Sequence, residues 1–275
     1  MTLTNLDSWI GKKESSSDDI PVTLVKRVAA TFGVPCPGVG EPLPYLWHWA
    51  FFQEPVFEED VGADGHPKLG GFLPPVDGRI RMWAGGRLKF FSSLLVGRAA
   101  ERHSDVLDIT EKEGKSGPLV FVTVRHRYYQ DGELRIQEEQ DIVYRYPGAP
   151  SEKFHKLQKK FDWVSQVTPS TLMLFRYSAV TFNGHRIHYD YPYVTGVEGY
   201  QNLVVHGPLI ATLLMSAYLE LNPDKDPVSF EFRGVRPITA GSTFKLGGVQ
   251  ADDNMLELCA FDEGGAAHKA KVFFK

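Results

Sequence analysis

The sequence predicts an α+β fold built from two tandem units, each a long antiparallel sheet wrapped around one helix. Two observations support this prediction. Helix and strand patterns occur in a similar order in both halves of the chain, and a charged, polar segment at residues 151–166 separates the halves. A chain of 275 residues is long enough for two such units with real cores. We therefore place the domain junction between residues 150 and 151.

The C-terminal half shows the pattern most clearly. A strand-like stretch at residues 171–181 precedes a loop at residues 183–199, and a helix is predicted to begin at Pro208, because proline suits the first helical position. Apolar residues recur at helical spacing until Asn222 and Pro223 end the helix. Four strands follow, at residues 228–235, 243–251, 255–262 and 266–274. One helix laid against an antiparallel meander is the plan of the hotdog fold.

The N-terminal half repeats this plan less clearly. Residues 87–95 resemble residues 230–238 in pattern, and in both halves a glycine and a second strand follow. Two later strands, at residues 119–129 and 134–144, are joined by a strong hairpin signal at Gln130-Asp131-Gly132. The repeat predicts a double hotdog, with one unit at residues 1–150 and the other at residues 151–275.

The helix of the N-terminal unit is predicted at residues 44–52, which are almost all apolar or aromatic. We interpret this segment as a core helix rather than as part of a cofactor site.

Composition and charge exclude several classes of protein. The net charge of −4 is spread along the chain, whereas a nucleic-acid-binding protein needs a basic face. No apolar run of about eighteen residues is present to cross a membrane. The N-terminus has neither an apolar signal region nor a transit pattern, so we expect a cytoplasmic protein. Cys36 and Cys259 lie far apart, which favours structural thiols over a disulfide framework or a cysteine metal site.

The residues that indicate chemistry lie in the C-terminal half. Asn183, His185 and His188 fall within one short loop, and Gly207 precedes the proline that starts the helix. Backbone N–H groups at a helix N-terminus lie at the positive end of the helix dipole, so Gly207 can stabilise an oxygen that gains negative charge. Imidazoles accept and donate protons near neutral pH. This set suits the addition of water to an enoyl thioester, with His188 as acid and base and with His185 and Asn183 holding the water.

Further substrate-binding candidates belong to the same two segments. They are Arg186, Tyr189, Asp190 and His206. Because an amide accepts no proton, Asn183 leaves the identity of the base open. Either His188 and His185 share the proton transfers, which we rank first, or a carboxylate such as Asp190 supplies the base.

The loop resembles the hydratase motif of the MaoC and R-specific enoyl-CoA hydratase family, in which an Asp, an Asn two residues on and a His five residues on precede the central helix. Here the corresponding residues are Asn183, His185 and His188, so only the last agrees. The strings TFNGHRIHYD and EGYQNLVVHGPL are more similar to the branch that contains mesaconyl-C4-CoA hydratases, itaconyl-CoA hydratases and type 2 3-hydroxyacyl-thioester dehydratases. The resemblance covers roughly residues 40–274. It implies a degenerate N-terminal hotdog, an acyl-CoA or carrier-protein thioester substrate, no metal and no separate cofactor.

Within that branch we expect a hydro-lyase that acts on a short branched dicarboxylic enoyl-CoA of the mesaconyl or itaconyl type, giving citramalyl-CoA. The alternatives are a dehydratase of fatty acid metabolism, a hotdog thioesterase and a non-catalytic acyl-CoA-binding subunit. A zinc site at His185, His188 and His206 is disfavoured, since their spacing is not that of a helical zinc motif. Hotdog proteins commonly pair their sheets, so we expect a homodimer, although a double hotdog already contains that pairing within one chain.

Overall fold

The computed structural model describes residues 6–76, 78–114, 117–146, 157 and 159–275. The predicted junction, at residues 150 and 151, lies outside the described residues. The described strands are β1 (Lys13–Asp18), β2 (Ile80–Phe90), β3 (Ala100–Gly114), β4 (Gly117–Gln130), β5 (Glu133–Arg145), β6 (Trp163–Val167), β7 (Pro227–Gly234), β8 (Phe244–Asp252), β9 (Met255–Asp262) and β10 (Gly265–Phe274). The helices are α1 (Val22–Phe32), α2 (Thr171–Val180), α3 (Tyr191–Gly196) and α4 (Gly207–Leu221).

All of these strands belong to one antiparallel sheet in the order β1-β3-β4-β5-β2-β7-β10-β9-β8-β6. The order is the same in each half when it is counted outward from the β2–β7 contact. In each half a short strand and a helix come first, and four strands follow after a long connection. The last three of these strands form a meander, and the first pairs with the last, β2 with β5 and β7 with β10. The predicted C-terminal meander is therefore correct for β8, β9 and β10 and wrong for β7, which does not pair with β8. This arrangement is the predicted double hotdog, with the two sheets joined edge to edge.

The helix of the C-terminal unit is confirmed. Helix α4 begins at Gly207, one residue before the predicted start, and it packs against β8, β9 and β10. Leu209, Leu214 and Tyr218 lie on its fully buried face. Within the described part of the chain, no helix is both long enough and apolar enough to cross a membrane.

The predicted hairpin between β4 and β5 is also confirmed. Only Asp131 and Gly132 separate the two strands, and their φ angles are 52° and 77°. Two positive φ angles in a two-residue loop define the type I′ turn, which matches the twist of the strands that it joins.

The prediction of a strand at residues 171–181 is wrong, because this stretch forms helix α2. The Ser170 hydroxyl accepts a hydrogen bond from the Met173 backbone N–H at 3.1 Å and thereby caps the helix. Leu174, Tyr177 and Ser178 are buried, which is helical spacing rather than alternation. The run of apolar residues hid this period in the sequence.

The prediction of an N-terminal core helix at residues 44–52 is also wrong. Only a four-residue 3₁₀ helix forms there, at Trp47–Ala50, and Leu46 and Phe52 on either side of it have positive φ angles. Residues 47–52 are all buried, and a right-handed helix cannot continue through the positive φ angles at Leu46 and Phe52. We call residues 47–52 the aromatic segment.

A buried carboxylate fixes the aromatic segment to the sheet. Glu138 on β5 is fully buried and accepts hydrogen bonds from Trp49 Nε1 at 2.9 Å, Tyr128 Oη at 3.0 Å and Gln140 Nε2 at 2.9 Å. His48 Nε2 lies 3.3 Å from the same carboxylate. Burial alone would raise the pKa of Glu138, but the His48 hydrogen bond and the neighbouring imidazoles outweigh it and lower that pKa to about 2.

We predict that Glu138→Gln destabilises the fold, because an amide nitrogen would face donors that need an acceptor. The free energy of unfolding should fall by about 3 kcal/mol, as measured by urea unfolding. Glu139→Gln is the matched control, since Glu139 lies on the opposite face of β5 in a partly exposed ion pair with Arg87. Equal stability of the two variants would contradict the anchoring role of Glu138.

Candidate active site

The loop after α2 brings the predicted residues into the protein interior. The Asn183 side-chain oxygen accepts a hydrogen bond from the His185 backbone N–H at 2.9 Å, which holds the first turn. A short 3₁₀ helix at Arg186–His188 follows. His185 and His188 are both buried, at 8% and 7% exposure. In this geometry Asn183 shapes the loop that presents the two imidazoles, and its contact with the attacking water stays a prediction.

The hydrogen bonding of His188 fixes its tautomer. His188 Nδ1 donates to the Val204 carbonyl at 2.7 Å, because a carbonyl can only accept, and Nε2 is left as the acceptor nitrogen. The His188 ring stacks on His206 with a centroid distance of 3.6 Å, and the His185 ring lies edge-on at 5.4 Å. Burial and the neighbouring imidazoles lower the pKa of both His185 and His188 to about 3. Both rings are therefore neutral at pH 7.

His206 and Gly207 form the N-terminus of α4. The completely buried His206 occupies the N-cap position, and its Nε2 lies 2.8 Å from the Ser178 hydroxyl. Gly207 follows in the first helical turn, where backbone N–H groups have no partner within the helix. A Cβ built at Gly207 would lie 3.4 Å from His268 Cε1, which is an ordinary contact. The first turn of α4 thus has the features expected for stabilising a developing oxyanion.

The other predicted substrate-binding residues already have partners within the protein. The Arg186 guanidinium binds Asp190 at 2.7 and 2.9 Å and donates to the Ala63 carbonyl at 3.0 Å. Asp190 also caps α3 through the Tyr193 backbone N–H. Tyr189 is half exposed, and its hydroxyl donates to the Gly184 carbonyl at 2.9 Å. Substrate contacts from these residues stay predictions, and each would compete with the bonds described.

Two residues of the N-terminal half lie at this site and were not predicted. Asp64 and His66 belong to the loop before β2, and the His66 ring centroid is 4.1 Å from that of His185. His66 Nδ1 lies 2.9 Å from one Asp64 carboxylate oxygen, and the His66 backbone N–H donates to the other at 3.0 Å. Burial raises the pKa of Asp64, but the bonds from His66 outweigh it and hold the pKa below its usual range. Asp64 is therefore ionised at neutral pH.

Backbone contacts fix this loop against the loop of Asn183. The Arg186 backbone N–H donates to the Asp64 carbonyl at 2.9 Å. Gly65 and Gly184 approach so closely that a Cβ built at Gly65 would be 1.9 Å from the Gly184 carbonyl oxygen. Gly65 also has a φ of +90°, which favours glycine. The two halves of the chain therefore meet in a defined register at the imidazoles.

The positively charged Arg81 also lies near the His66 and His185 rings. The charge of Arg81, on β2, lowers the pKa of both His66 and His185, in each case after the larger effect of burial. Arg81 Nη2 donates to the Pro67 carbonyl at 3.2 Å. Among the described residues, no ion pair includes Arg81. The site thus combines neutral imidazoles, one carboxylate and one cation without an ion-pair partner in this part of the protein.

One group of described residues could hold a metal ion. Asp64, His66 and His185 each offer a ligand atom, and these atoms all lie within 4.8 Å of one another. This set differs from the three histidines considered from the sequence. Two of its members, Asp64 and His66, are hydrogen-bonded to each other, which is the geometry of a carboxylate that orients an imidazole.

The sequence contains a weak signal for these missed residues. An aspartate, a glycine and a histidine follow one another at residues 64–66 within a loop rich in glycine. Nothing in a single sequence pairs that loop with one in the other half of the chain. The contact depends on how the two sheets join.

Comparisons with known proteins agree with this architecture. A family model described as hydroxyacyl-thioester dehydratase type 2 matches residues 46–240. Mesaconyl-C(4)-CoA hydratase of Chloroflexus aurantiacus is 44% identical over 244 residues, which cover 87% of this chain and 87% of that protein. The mitochondrial hydroxyacyl-thioester dehydratase type 2 of Schizosaccharomyces pombe is 28% identical over 232 residues, covering 73% and 75%. A MaoC-like dehydratase from Phytophthora capsici superposes with a TM-score of 0.71 at 10% identity, covering 99% and 98%, which shows the shared fold.

We predict that the protein loses stability in mild acid. The buried histidines have lowered pKa values in the folded state, and unfolded histidine has a pKa near 6.5. Burial lowers the pKa to about 3 in His185 and His188 and to about 4 in His126 and His268. It also lowers the pKa of His206 well below the usual value. Below pH 6.5 the unfolded chain binds more protons, so the free energy of unfolding falls by up to about 1.4 kcal/mol per pH unit for each histidine.

Urea unfolding at pH 7.5, 6.5 and 5.5 measures this slope. His268→Gln should make this slope less steep by the contribution of one histidine. Stability that is constant or rises from pH 7.5 to 5.5 would contradict the neutral state of the buried imidazoles.

Proposed function

The chain belongs to the type 2 hydroxyacyl-thioester dehydratase family, and we propose that it adds water to mesaconyl-C4-CoA, a short branched dicarboxylic enoyl-CoA, to give citramalyl-CoA. The observation that carries the proposal is the 44% identity with a mesaconyl-C(4)-CoA hydratase over 87% of the chain. The family membership makes the protein an acyl-thioester hydro-lyase, as the resemblance of the motif loop predicted. Itaconyl-CoA, which gives the same product, is the second substrate to test.

The reaction needs a group that stabilises negative charge on the thioester oxygen. When water adds to the β-carbon, the electrons of the double bond move toward the carbonyl and form an enolate. We assign the stabilisation of this oxygen to the backbone N–H of Gly207, at the positive end of α4.

The attacking water needs acceptors that are not already protonated. His188 offers a neutral Nε2, since Nδ1 is bound to the Val204 carbonyl, and His185 lies beside it. We assign to these two imidazoles the hydrogen bonds that hold the water. Asn183 contributes by fixing the loop from which both of them project.

Arg81 supports a substrate with a second carboxylate. In mesaconyl-C4-CoA the free carboxylate is attached to the β-carbon, which is the carbon that water attacks. A cation for that carboxylate must therefore lie next to the groups that handle the water. Arg81 meets this condition, because its Nη2 donates to the carbonyl of Pro67, the residue after His66, at 3.2 Å. A guanidinium also binds carboxylates through paired hydrogen bonds.

The aromatic segment supports a short acyl chain. A long-chain substrate needs an apolar tunnel, which a hotdog unit without its central helix can provide. Here the bulky residues 47–52 pack on the N-terminal sheet around Glu138 and Tyr128, where such a tunnel would run. We therefore favour a C4–C5 acyl group over a fatty acyl chain.

Several features stay predictions. We propose that the reaction requires neither a metal nor any cofactor besides the CoA of the substrate. The homodimer and the cytoplasmic location are expected, as argued from the sequence. The rival functions are a thioesterase and a non-catalytic acyl-CoA-binding subunit. Neither would hydrate an enoyl-CoA, so a hydration assay distinguishes both from the proposed hydratase.

We predict that the purified protein hydrates mesaconyl-C4-CoA, which is followed by the loss of enoyl-thioester absorbance. His188→Ala should lower kcat/KM by roughly a hundredfold or more, because the water loses an acceptor. His103→Ala is the control, since His103 is an exposed histidine of β3 outside the site. Hydrolysis of the thioester, or binding without turnover of mesaconyl-C4-CoA, itaconyl-CoA and crotonyl-CoA, would contradict the proposal.

We also predict that Arg81 determines preference for the dicarboxylic substrate. Arg81→Gln should lower kcat/KM for mesaconyl-C4-CoA by at least about tenfold more than for crotonyl-CoA, which has no second carboxylate. Arg87→Gln is the control on the same strand, because Arg87 pairs with Glu139 and Asp141. An equal loss on both substrates would show that Arg81 does not select the carboxylate.

A further inference from the structure

We propose that Asp64 and His66, supplied by the N-terminal half, form the proton-transfer pair of this site, with His66 as the catalytic base and Asp64 as its positioning residue. The inference rests on the hydratase function proposed above and names the residues that handle the proton. It replaces the two-imidazole scheme of the sequence with a carboxylate and an imidazole from the other half of the chain.

The C-terminal loop lacks a suitable base. Asn183 accepts no proton at its amide, and the Asp190 carboxylate is held by Arg186 and by the N-terminus of α3. Burial lowers the pKa of His66 as well as those of His185 and His188. What distinguishes His185 and His188 is that neither ring donates to a carboxylate among the described hydrogen bonds, and His188 Nδ1 donates to the Val204 carbonyl. They suit the holding of water better than the removal of its proton.

The Asp64–His66 pair has the geometry of an oriented base. One Asp64 oxygen accepts the Nδ1 proton of His66 at 2.9 Å, and the other accepts the His66 backbone N–H at 3.0 Å. Nε2 is thereby left as the acceptor, and the carboxylate stabilises the imidazolium that forms when Nε2 takes a proton. The side chains are 25% and 23% exposed, so water and protons can reach them.

The position of the pair is fixed on the water-holding imidazoles. The His66 ring lies 4.1 Å from His185, and its charge also acts on His188. The close approach of Gly65 to Gly184 and the bond from Arg186 N–H to the Asp64 carbonyl hold the loop there. Such contacts define one position for His66 rather than a range of positions on the surface.

The chemical step balances with one proton. His66 Nε2 takes a proton from water as the oxygen bonds to the β-carbon, and the electrons of the double bond pass to the thioester oxygen at Gly207. The imidazolium then returns the same proton to the α-carbon as the carbonyl re-forms. Water is added, Asp64 stays ionised throughout, and no other reactant is consumed.

The test compares four variants of the full chain with wild type on mesaconyl-C4-CoA and crotonyl-CoA. His66→Ala should lower kcat by roughly 10²–10⁴-fold with little change in KM, which indicates loss of a proton-transfer group. Asp64→Asn keeps the oxygen that holds the turn and removes the charge, and it should lower kcat by at least about tenfold. The double variant should be no slower than His66→Ala alone, because the two residues act as one unit.

The fourth variant, His103→Ala, removes the imidazole of a matched surface pair, in which His103 Nε2 lies 3.0 Å from Glu101, and it should retain wild-type kcat. Added imidazole should restore part of the activity of His66→Ala, which a purely structural role would not allow. Circular dichroism and thermal unfolding check that each variant is folded.

The outcomes separate this inference from the proposed function. The wild type could hydrate an enoyl-CoA while a folded His66→Ala variant keeps an unchanged kcat. This result would overturn the role of the Asp64–His66 pair, but it would agree with the proposed hydratase function. Wild type inactive on both substrates and on itaconyl-CoA would overturn the hydratase and the pair with it. The purified protein could also contain a stoichiometric metal that a chelator removes together with the activity and that His66→Ala lacks. This result would overturn the proton-transfer pair and assign Asp64, His66 and His185 to a metal site.

Discussion

The pairing of β2 with β7 joins the two halves into one sheet, and the geometry of the candidate site depends on it. Five residue pairs form this contact, from Gly85 opposite Arg233 to Lys89 opposite Ser229. The strands approach so closely that a Cβ built at Gly85 would lie 2.3 Å from the Phe232 carbonyl oxygen. Arg81 and the loop that carries His66 precede this contact on the N-terminal side. They therefore reach the imidazoles of the C-terminal half in a fixed register.

The two halves have diverged around this shared sheet. The C-terminal half keeps its central helix, and its loop of Asn183 supplies the buried imidazoles, while the N-terminus of α4 is our proposed oxyanion donor. In the N-terminal half the aromatic segment replaces the helix and is anchored by the ionised Glu138. That half is degenerate as a hotdog unit. Our account nevertheless gives it an active part, because it contributes Asp64, His66 and Arg81.

The sequence predicts the parts of this molecule that depend on local pattern. The start of α4 next to Pro208, the type I′ turn at Asp131 and the meander of β8, β9 and β10 all have short-range signals, and each agrees with the structure. The pairing of β7 with β10 rather than β8 has no such signal. Helix α2 was missed because its apolar residues conceal a helical period. The aromatic segment was misread because its burial depends on the distant Glu138. Asp64 and His66 were missed because a loop contact between two halves has no local signature.

The most direct test of the account is a crystal structure of the protein with citramalyl-CoA bound. The account predicts the thioester oxygen at hydrogen-bond distance, about 2.7–3.2 Å, from the Gly207 backbone nitrogen. It also predicts the hydroxyl of the product at the same distance from His66 Nε2, with the free carboxylate against Arg81. Two results would contradict the claim that both halves build one site. In one, the hydroxyl contacts only His188 and His66 does not contact the ligand; in the other, the acyl group binds elsewhere on the protein.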